Sequence, residues 1–307
     1  MKIAVLSTNK NLYSTKRLVE AIEQKGHEAF VINHTKCHFR MEEGSPQIFH
    51  RKKLLSHFDA IIPRIGASVT YLGTAVVRQF EMQGTFSVNS SQSILQSRDK
   101  LRSLQLLSKT DVGIPKTVFA KYPKNAEVDM LLNEVGGTPV VIKVLQGTQG
   151  LGVVLADTEQ SAKSTIEAFS GLKENILIQE FIKEAGGADV RAFVVAGKVV
   201  GSMKRQGKEG EFRSNLHRGG KSEVIELSEV EKQTAIKAAK AMDLSMAGVD
   251  ILLSSRGPLI LEVNSSPGLE GIETATKVDI ASKIVEHIEQ SMAARKNQFT
   301  PLQDEEE

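Results

Sequence analysis

Glu262 and Asn264 stand two residues apart in the run Leu-Ile-Leu-Glu-Val-Asn, so on an extended strand they share one face while Leu261 and Val263 point the other way. A second β-rich run, Val249 to Ser254, precedes them across Ser-Arg-Gly, which predicts an antiparallel hairpin carrying Asp250. Register decides whether Asp250 joins the pair. A turn of Arg256-Gly257 alone would set it opposite Val263 on the wrong face, whereas a three-residue turn, Ser255 to Gly257, sets it opposite Glu262. We expect the three-residue turn. Two carboxylates and an amide carbonyl then form an all-oxygen set suited to magnesium that keeps water and phosphate in its shell. The alternative is an ordinary hairpin with solvated polar ends. Asn-Ser-Ser-Pro-Gly follows and cannot continue the ladder, so the polar cluster lies at a strand end.

Other residues imply anion chemistry. Lys143 interrupts the apolar run Pro-Val-Val-Ile-Lys-Val-Leu, and a buried lysine needs an anion. Gln-Gly-Thr-Gln-Gly-Leu-Gly, residues 146–152, follows at once, and its glycines let backbone N–H groups turn toward a polyphosphate. No Gly-Lys-Ser/Thr follows at Walker spacing, and a plain hairpin turn is the competing reading. Lys100 falls in the first turn of a helix expected over Ser97 to Ser108, where it opposes the macrodipole; a phosphate would give it a purpose, and a solvated lysine without a task is the competing reading. Backbone groups at Glu180 and Phe181 are expected to be free at a strand edge for an adenine, and Asp189 could accept from ribose hydroxyls. Arg205, Arg213, Asn215, His217 and Arg218 crowd one donor-rich loop, which fits carboxylates and phosphates, or else is a solvated charge run.

The elements that must position these groups read as α/β throughout. Strands at Lys2–Ser7 and Glu28–Asn33 bracket a helix at Ser14–Gln24, and strands at Asp59–Ile65 and Phe86–Asn89 bracket another at Val69–Gln83. This predicts a small open parallel-sheet domain over residues 1–95. Its first turn, Thr8 to Asn11, lacks a dinucleotide glycine fingerprint. Arg64 and Gly66, at the end of the third strand, lie where open parallel sheets place ligands, with a surface salt bridge as the competing reading. A central unit is expected over 96–190, a C-terminal unit over 191–293 with a last helix at Ala275–Ala294, and an acidic tail over 294–307 that is too short and polar to fold.

With 307 residues, 40 % hydrophobic and 25 % charged, the chain is an ordinary globular protein with a large core. A formal charge of +2, with no basic tract interleaved with aromatics, gives no case for direct nucleic-acid binding. One cysteine, Cys37, excludes an internal disulfide, and it is not expected to serve as a nucleophile. No run approaches a membrane span, and cytoplasm is the default expectation.

The order of these pieces resembles the ATP-grasp ligases from about residue 94 to 290, preceded by the small domain that commonly comes before that core. The fold this implies is an ATP-grasp core with an N-terminal pre-ATP-grasp domain. Within that superfamily, Ser-Arg-Asp-Lys, Gln-Gly-Thr-Gln-Gly-Leu-Gly, Arg-Ser-Asn-Leu-His-Arg-Gly-Gly and Glu-Val-Asn-Ser-Ser-Pro-Gly-Leu-Glu-Gly-Ile-Glu closely resemble the RimK family, glutamate ligases that extend the C-terminus of ribosomal protein S-six. The resemblance implies ATP and two Mg²⁺ or Mn²⁺ ions as cofactors, glutamate and the S-six tail as substrates, poly-α-glutamate as a further product, and a homotetramer. By it, Lys100 and Lys143 hold phosphates, Glu180 and Phe181 the adenine, Asp189 the ribose, and Arg213, Ser214 and Asn215 complete the nucleotide site. Asp250, Glu262 and Asn264 hold the metals, and Arg205 and Arg213 are the catalytic cations, with Arg205, His217 and Arg218 toward the substrate carboxylates. The tail, Glu305-Glu306-Glu307, would mimic the acceptor and be extended or occupy a neighbour's site. Alternatives in play are an ATP-grasp ligase for another carboxylate or amine, and a nucleotide-binding regulatory module without turnover.

Overall fold

The computed structural model describes residues 1–298 apart from 56, 124, 146–151, 209 and 215–219. Among the described residues no helix is long and apolar enough to cross a membrane. The N-terminal region comprises β1 (Lys2–Leu6), α1 (Tyr13–Gln24), β2 (Glu28–Ile32), β3 (Cys37–Arg40), β4 (Gln47–His50), β5 (Lys53–Leu54), β6 (Ala60–Pro63), α2 (Thr70–Met82) and β7 (Phe86–Ser87). Its parallel sheet has the order β2-β1-β6-β7. The apolar run of β1 explains the centre of that sheet: Ile3, Ala4, Val5 and Leu6 are buried on both faces, as a strand between helical layers requires. A small antiparallel sheet, β3-β4-β5, is an insertion between β2 and β6 that periodicity did not reveal.

The expected single helix around Lys100 is two: α3 (Ser91–Arg98) and α4 (Lys100–Leu107). Asp99 stands between them in extended conformation, and its side chain accepts from the Arg102 N–H at 3.0 Å, which caps α4 and makes Lys100 its first residue. The central region follows with β8 (Thr117–Lys121), α5 (Asn125–Glu134), β9 (Val140–Val144), β10 (Val153–Ala156), α6 (Glu159–Gly171) and β11 (Asn175–Glu180). Its sheet is antiparallel, ordered β10-β9-β11-β8.

The C-terminal region holds β12 (Ala188–Val195), β13 (Lys198–Gln206), β14 (Lys221–Val224), α7 (Glu229–Ala241), β15 (Met246–Ser254), β16 (Gly257–Asn264), α8 (Glu270–Thr276) and α9 (Ile280–Gln298). The last helix expected over Ala275–Ala294 is therefore broken: Lys277 is left-handed, with φ 59°, and Asp279 accepts from the Ser282 N–H to start α9. The sheet runs β14-β13-β12-β15-β16.

The two faces of this sheet differ along their length. Val190, Ala192, Val194, Val249, Ile251, Ile260 and Val263 form one face and pack with Ala235, Ala238 and Ala239 of α7. On the opposite face Phe193, Val195, Met203 and Met246 enter a core shared with Ile3, Leu18, Ile22 and Ile62 of the N-terminal region and with Ile284 and Ile288 of α9. The remainder of that second face carries charge, and it opens where the apolar residues stop. Asn89 fixes the junction: it is 1 % exposed, donates to Met246 O at 2.7 Å and Ser265 O at 3.0 Å, and accepts from Met246 N–H at 3.0 Å.

Candidate active site

The hairpin of β15 and β16 reaches the expected pairing by a different route. Ser254 pairs with Gly257, so the turn consists of Ser255 and Arg256 and is shorter than the three-residue turn expected. Continued regularly, that register would set Asp250 opposite Leu261. A β-bulge between Asp250 and Ile251 takes up the extra residue, so that Ile251 pairs with Ile260 but Asp250 pairs with Glu262, and Gly248 with Asn264. The bulge places both carboxylates on the charged face, Glu262 exposed and Asp250 only 4 % exposed.

Across the next strands the row continues. Arg191 lies opposite Asp250 and Arg205 lies opposite Asp189. Arg191 grips Asp250 with a two-pronged fork, Nε to Oδ1 at 2.7 Å and Nη2 to Oδ2 at 2.7 Å. Arg205 does the same to Asp189, with both contacts at 2.6 Å, and its Nη2 also lies 2.8 Å from Asp250 Oδ2. The Ser214 hydroxyl donates to Asp189 Oδ2. Asp250 is held below the usual carboxylate range: burial pushes it up, but Arg191 and Arg205 outweigh that.

Glu262 is exposed to water, with protein groups crowded around it. That crowding, and then the neighbouring charge of Asp250, hold its carboxyl above the usual range, against the pull of Arg191, Lys143 and Lys100. Lys143 is half-buried on β9 and donates to Gln179 Oε1 at 2.6 Å, while Gln179 donates to Thr117 Oγ1 at 2.8 Å. Desolvation pulls the Lys143 amine down to about 8. Lys100 Nζ donates to Leu145 O at 3.0 Å and Val144 O at 3.4 Å, at the end of the strand that carries Lys143 and from which the glycine-rich segment departs. Val144 N–H donates to Gly152 O at 2.9 Å, closing the base of that segment; residues 146–151 themselves lie outside the described residues.

Where β11 ends, a cleft of about 610 Å³ is lined by Phe181, Lys183, Gly187, Gln206, Lys208 and Phe212 among others. The Phe181 and Phe212 rings meet edge to face at 6.5 Å, and the Arg213 guanidinium lies 5.3 Å above the Phe212 ring. Glu180 needs a correction: its N–H is not free but donates to Lys116 O at 2.9 Å, and its carboxylate accepts from Lys116 N–H at 2.7 Å and pairs with Arg256. Asp189 needs another. Instead of facing ribose hydroxyls as expected, it is 4 % exposed with its oxygens engaged by Arg205 and Ser214. Arg205, expected as a catalytic cation, is 5 % exposed and spans Asp189 and Asp250 within the sheet. Arg213 forks onto Glu211, Nε to Oε1 and Nη2 to Oε2, both at 2.8 Å. Asn215, His217, Arg218 and the acidic tail fall outside the described residues.

Sequence reasoning gave Arg191 and Gln179 no role in the site. Period two would have found Arg191, since it shares the Asp189 face and Asp250 lies on the next strand. Gln179 gave no such signal, because its pairing with Lys143 depends on how β11 is set against β9.

Asp250 and Glu262 are adjacent carboxylates whose charges oppose each other, and with the Asn264 carbonyl they make a hard oxygen set. That donor chemistry suits a magnesium-type cation, but both Asp250 oxygens are held by Arg191 and Arg205 here, so among the described residues Glu262 and Asn264 are the members of the set that no arginine grips.

The family of RimK-like ATP-grasp domains matches residues 97–288, and that of RimK PreATP-grasp domains matches residues 1–94. The chain belongs to the RimK family of ATP-grasp ligases. A protein of Marinomonas sp. named "Probable alpha-L-glutamate ligase" is 62 % identical over 291 residues, 95 % of this chain and 96 % of its own. A Vibrio cholerae protein of the same name is 58 % identical over 296 residues, 96 % and 98 % of the two chains. Among solved structures, the ATP-grasp ligase PsnB complexed with minimal precursor superposes with a TM-score of 0.75 at 22 % identity, covering 94 % of this chain and 99 % of its own. The D-alanine–D-alanine ligase from Bacillus anthracis complexed with ATP gives 0.67 at 18 %, covering 98 % and 100 %. These structures bear on the fold, which is mixed α/β of ATP-grasp type.

Proposed function

We propose that this protein is an ATP-dependent glutamate ligase that adds glutamate to the C-terminus of an acidic acceptor, ribosomal protein S-six in the first instance, with poly-α-glutamate as a further product. The observation that carries this reading is the charge row on one sheet face, Asp189 with Arg205 and Arg191 with Asp250 and Glu262, facing Lys143 and Lys100. Phosphoryl transfer needs charge neutralisation and alignment more than a covalent nucleophile, and this inventory supplies both. Relatives named alpha-L-glutamate ligase, at about 60 % identity over nearly the whole chain, supply the amino acid.

The chemistry has two steps. An oxygen of the acceptor carboxylate attacks the γ-phosphorus of ATP, the bond to ADP breaks, and an acylphosphate forms. The glutamate amine then attacks the acyl carbon, phosphate leaves with the bonding pair, and the nitrogen loses a proton to give the amide. Lys143 and Lys100 hold phosphate oxygens. Phe181 and Phe212 border the base, with the Glu180 carbonyl and Phe181 backbone at its edge. Arg213, Ser214 and Asn215 complete the nucleotide site. Asp250, Glu262 and Asn264 would hold two Mg²⁺ or Mn²⁺ ions, which when bound neutralise charge on the transferring phosphoryl group. Asp189 and Arg205 act as a rigid brace that sets Asp250 and Ser214. The Gly147 to Gly152 loop serves as the lid that keeps water from the acylphosphate. The three units at 1–95, 96–190 and 191–293, a cytoplasmic setting and a homotetramer complete the reading.

The test is mass spectrometry of a synthetic peptide ending in Glu-Glu after incubation with protein, magnesium, ATP and glutamate, with ADP measured in the same tube. Stepwise glutamyl additions matched by ADP support the reading. ADP without peptide growth removes the acidic-tail acceptor, and neither product from a protein that binds ATP removes the ligase.

A further inference from the structure

One wall of the cleft beyond β11 is an irregular stretch, and a stretch outside the ladders depends on its side chains to hold it in place. Phe181, Lys183, Gly186 and Gly187 line the cleft, and a single 3₁₀ turn, Lys183–Ala185, is the one regular piece among them. The far end of this wall is tied to the end of β13: Gln206 Nε2 donates to Gly186 O at 3.0 Å, and Gly207 N–H donates to Gly187 O at 3.1 Å. Its near end and its middle are tied elsewhere. Arg256 pairs with the Glu180 carboxylate, which also accepts from Lys116 N–H at 2.7 Å. Ser255 donates to Glu184 Oε1 through its hydroxyl at 2.9 Å and through its N–H at 3.3 Å. Ser255 and Arg256 are the whole turn of the hairpin that carries Asp250 and Glu262.

The turn is built to deliver both residues to that wall. Ser254 Oγ accepts from Arg256 N–H at 3.2 Å and donates to Gly257 O at 2.8 Å, and Gly257 is left-handed with φ 96°, which holds the turn tight. So short a turn would set Asp250 opposite Leu261, and the bulge between Asp250 and Ile251 returns it to Glu262. One hairpin thereby meets two demands, a tip that reaches the cleft wall and a carboxylate pair further along. With 47 % of its side chain exposed, Arg256 gains the fold little stability from its ion pair. Its effect falls on where Glu180 and Phe181 stand.

We propose that Ser255 and Arg256 are positioning residues for the nucleoside: from the hairpin turn they hold Glu180 and Glu184, so that residues 181–187 stand against the base across the cleft from Phe212. The inference rests on the nucleotide site in the reading given above. The ladder from Ser254–Gly257 to Ile251–Ile260 separates the turn from Asp250, so a change at the tip reaches the base and spares the phosphate end.

Binding is measured by calorimetry on the full chain for the unaltered protein, Arg256→Gln, Arg256→Lys and Ser255→Ala. The ligands are ADP with magnesium and tripolyphosphate with magnesium, and ligation is followed at varied ATP. Arg256→Gln should weaken ADP by about threefold to tenfold, the loss expected for a partly exposed charge-assisted contact, and leave tripolyphosphate unchanged. KM for ATP should rise with kcat held. Arg256→Lys should recover most of the loss. Ser255→Ala should act in the same direction with a smaller effect, and it decides the matter if Arg256→Gln fails to fold. Unchanged ADP binding in the folded variants overturns the proposal, and so does an equal loss for ADP and tripolyphosphate, which would show the turn supporting the cation end instead. An unaltered protein that binds ADP but joins glutamate to no acceptor removes the ligase and leaves the ADP comparison to decide the turn; one that binds no ADP removes both.

Discussion

Replacing Lys143 by methionine should make the nucleotide-free protein more stable while removing its response to ATP. The amine is held at about 8 against an ordinary 10.5, so the fold disfavours its charged form. The folded value lies below the unfolded one, so this penalty is full below pH 8 and fades as the pH rises through 10.5. A tenfold change in proton affinity is worth about 1.4 kcal/mol, which makes the penalty about 3 kcal/mol at pH 7 and about 1 kcal/mol at pH 10. Methionine removes that penalty and fills similar volume. It also leaves Gln179 Oε1, on a residue 4 % exposed, without the Lys143 donor, a loss of about 1 kcal/mol. The net gain is then about 2 kcal/mol at pH 7 and about zero at pH 10. Urea unfolding of both proteins at the two pH values measures the difference directly, and a thermal shift with ATP and magnesium tests the second half. A variant less stable than the parent at pH 7, or a gain that does not shrink with rising pH, would refute the claim that desolvation of Lys143 is a stored cost which bound phosphate offsets.

Glu262→Gln should lower turnover by at least ~100-fold, as loss of one preorganised charge-stabilising group does, while ADP binding by calorimetry stays measurable; normal turnover would defeat the metal assignment. Because the Glu262 carboxyl is held above the usual range, magnesium affinity should fall with acidification before the ordinary carboxylate range is reached, and an affinity that stays flat down to that range would contradict this. Arg205→Met should cost about 3–5 kcal/mol, since it strands Asp189 and Asp250 in the sheet. Asp250 lies below the usual range, so the stability it contributes is present at neutral pH and is lost as the pH falls through its folded value. Acid unfolding should therefore move to higher pH in Arg205→Met; an unmoved transition would show that the arginine does not support Asp250. Asn89→Leu should cost about 2–4 kcal/mol by orphaning the Met246 and Ser265 backbone groups it serves, and chemical denaturation would show it.

What could be read from the sequence were the features set by local spacing. The strand-helix-strand opening, Glu262 and Asn264 on one face, and a lysine standing in an apolar strand all follow from periods of two and 3.6. The hairpin shows where such reading stops. Asp250 does face Glu262, but a bulge supplies the register that a longer turn would also have supplied, and bulges have no period to betray them. Asp189 and Arg205 show a second limit. Alternation says that a polar side chain points to a face; it does not say whether that face is open to a ligand or closed by an arginine one strand away.

That distinction accounts for the shape of the site. A sheet with one apolar face needs one helical cover, and α7 supplies it. The other face needs cover only where it is apolar, at Phe193, Val195 and Met246, and there the N-terminal region and α9 close over it. Where the face turns to Arg191, Asp250 and Glu262, burial under a second apolar layer would leave Glu262 as an unpaired buried carboxylate, since the arginine forks go to Asp250 and Asp189. The residue that cannot be satisfied from within the sheet thus sets the edge of the core. Beside Arg191, the cations that act on Glu262 are Lys143 and Lys100, which come from elements outside the sheet.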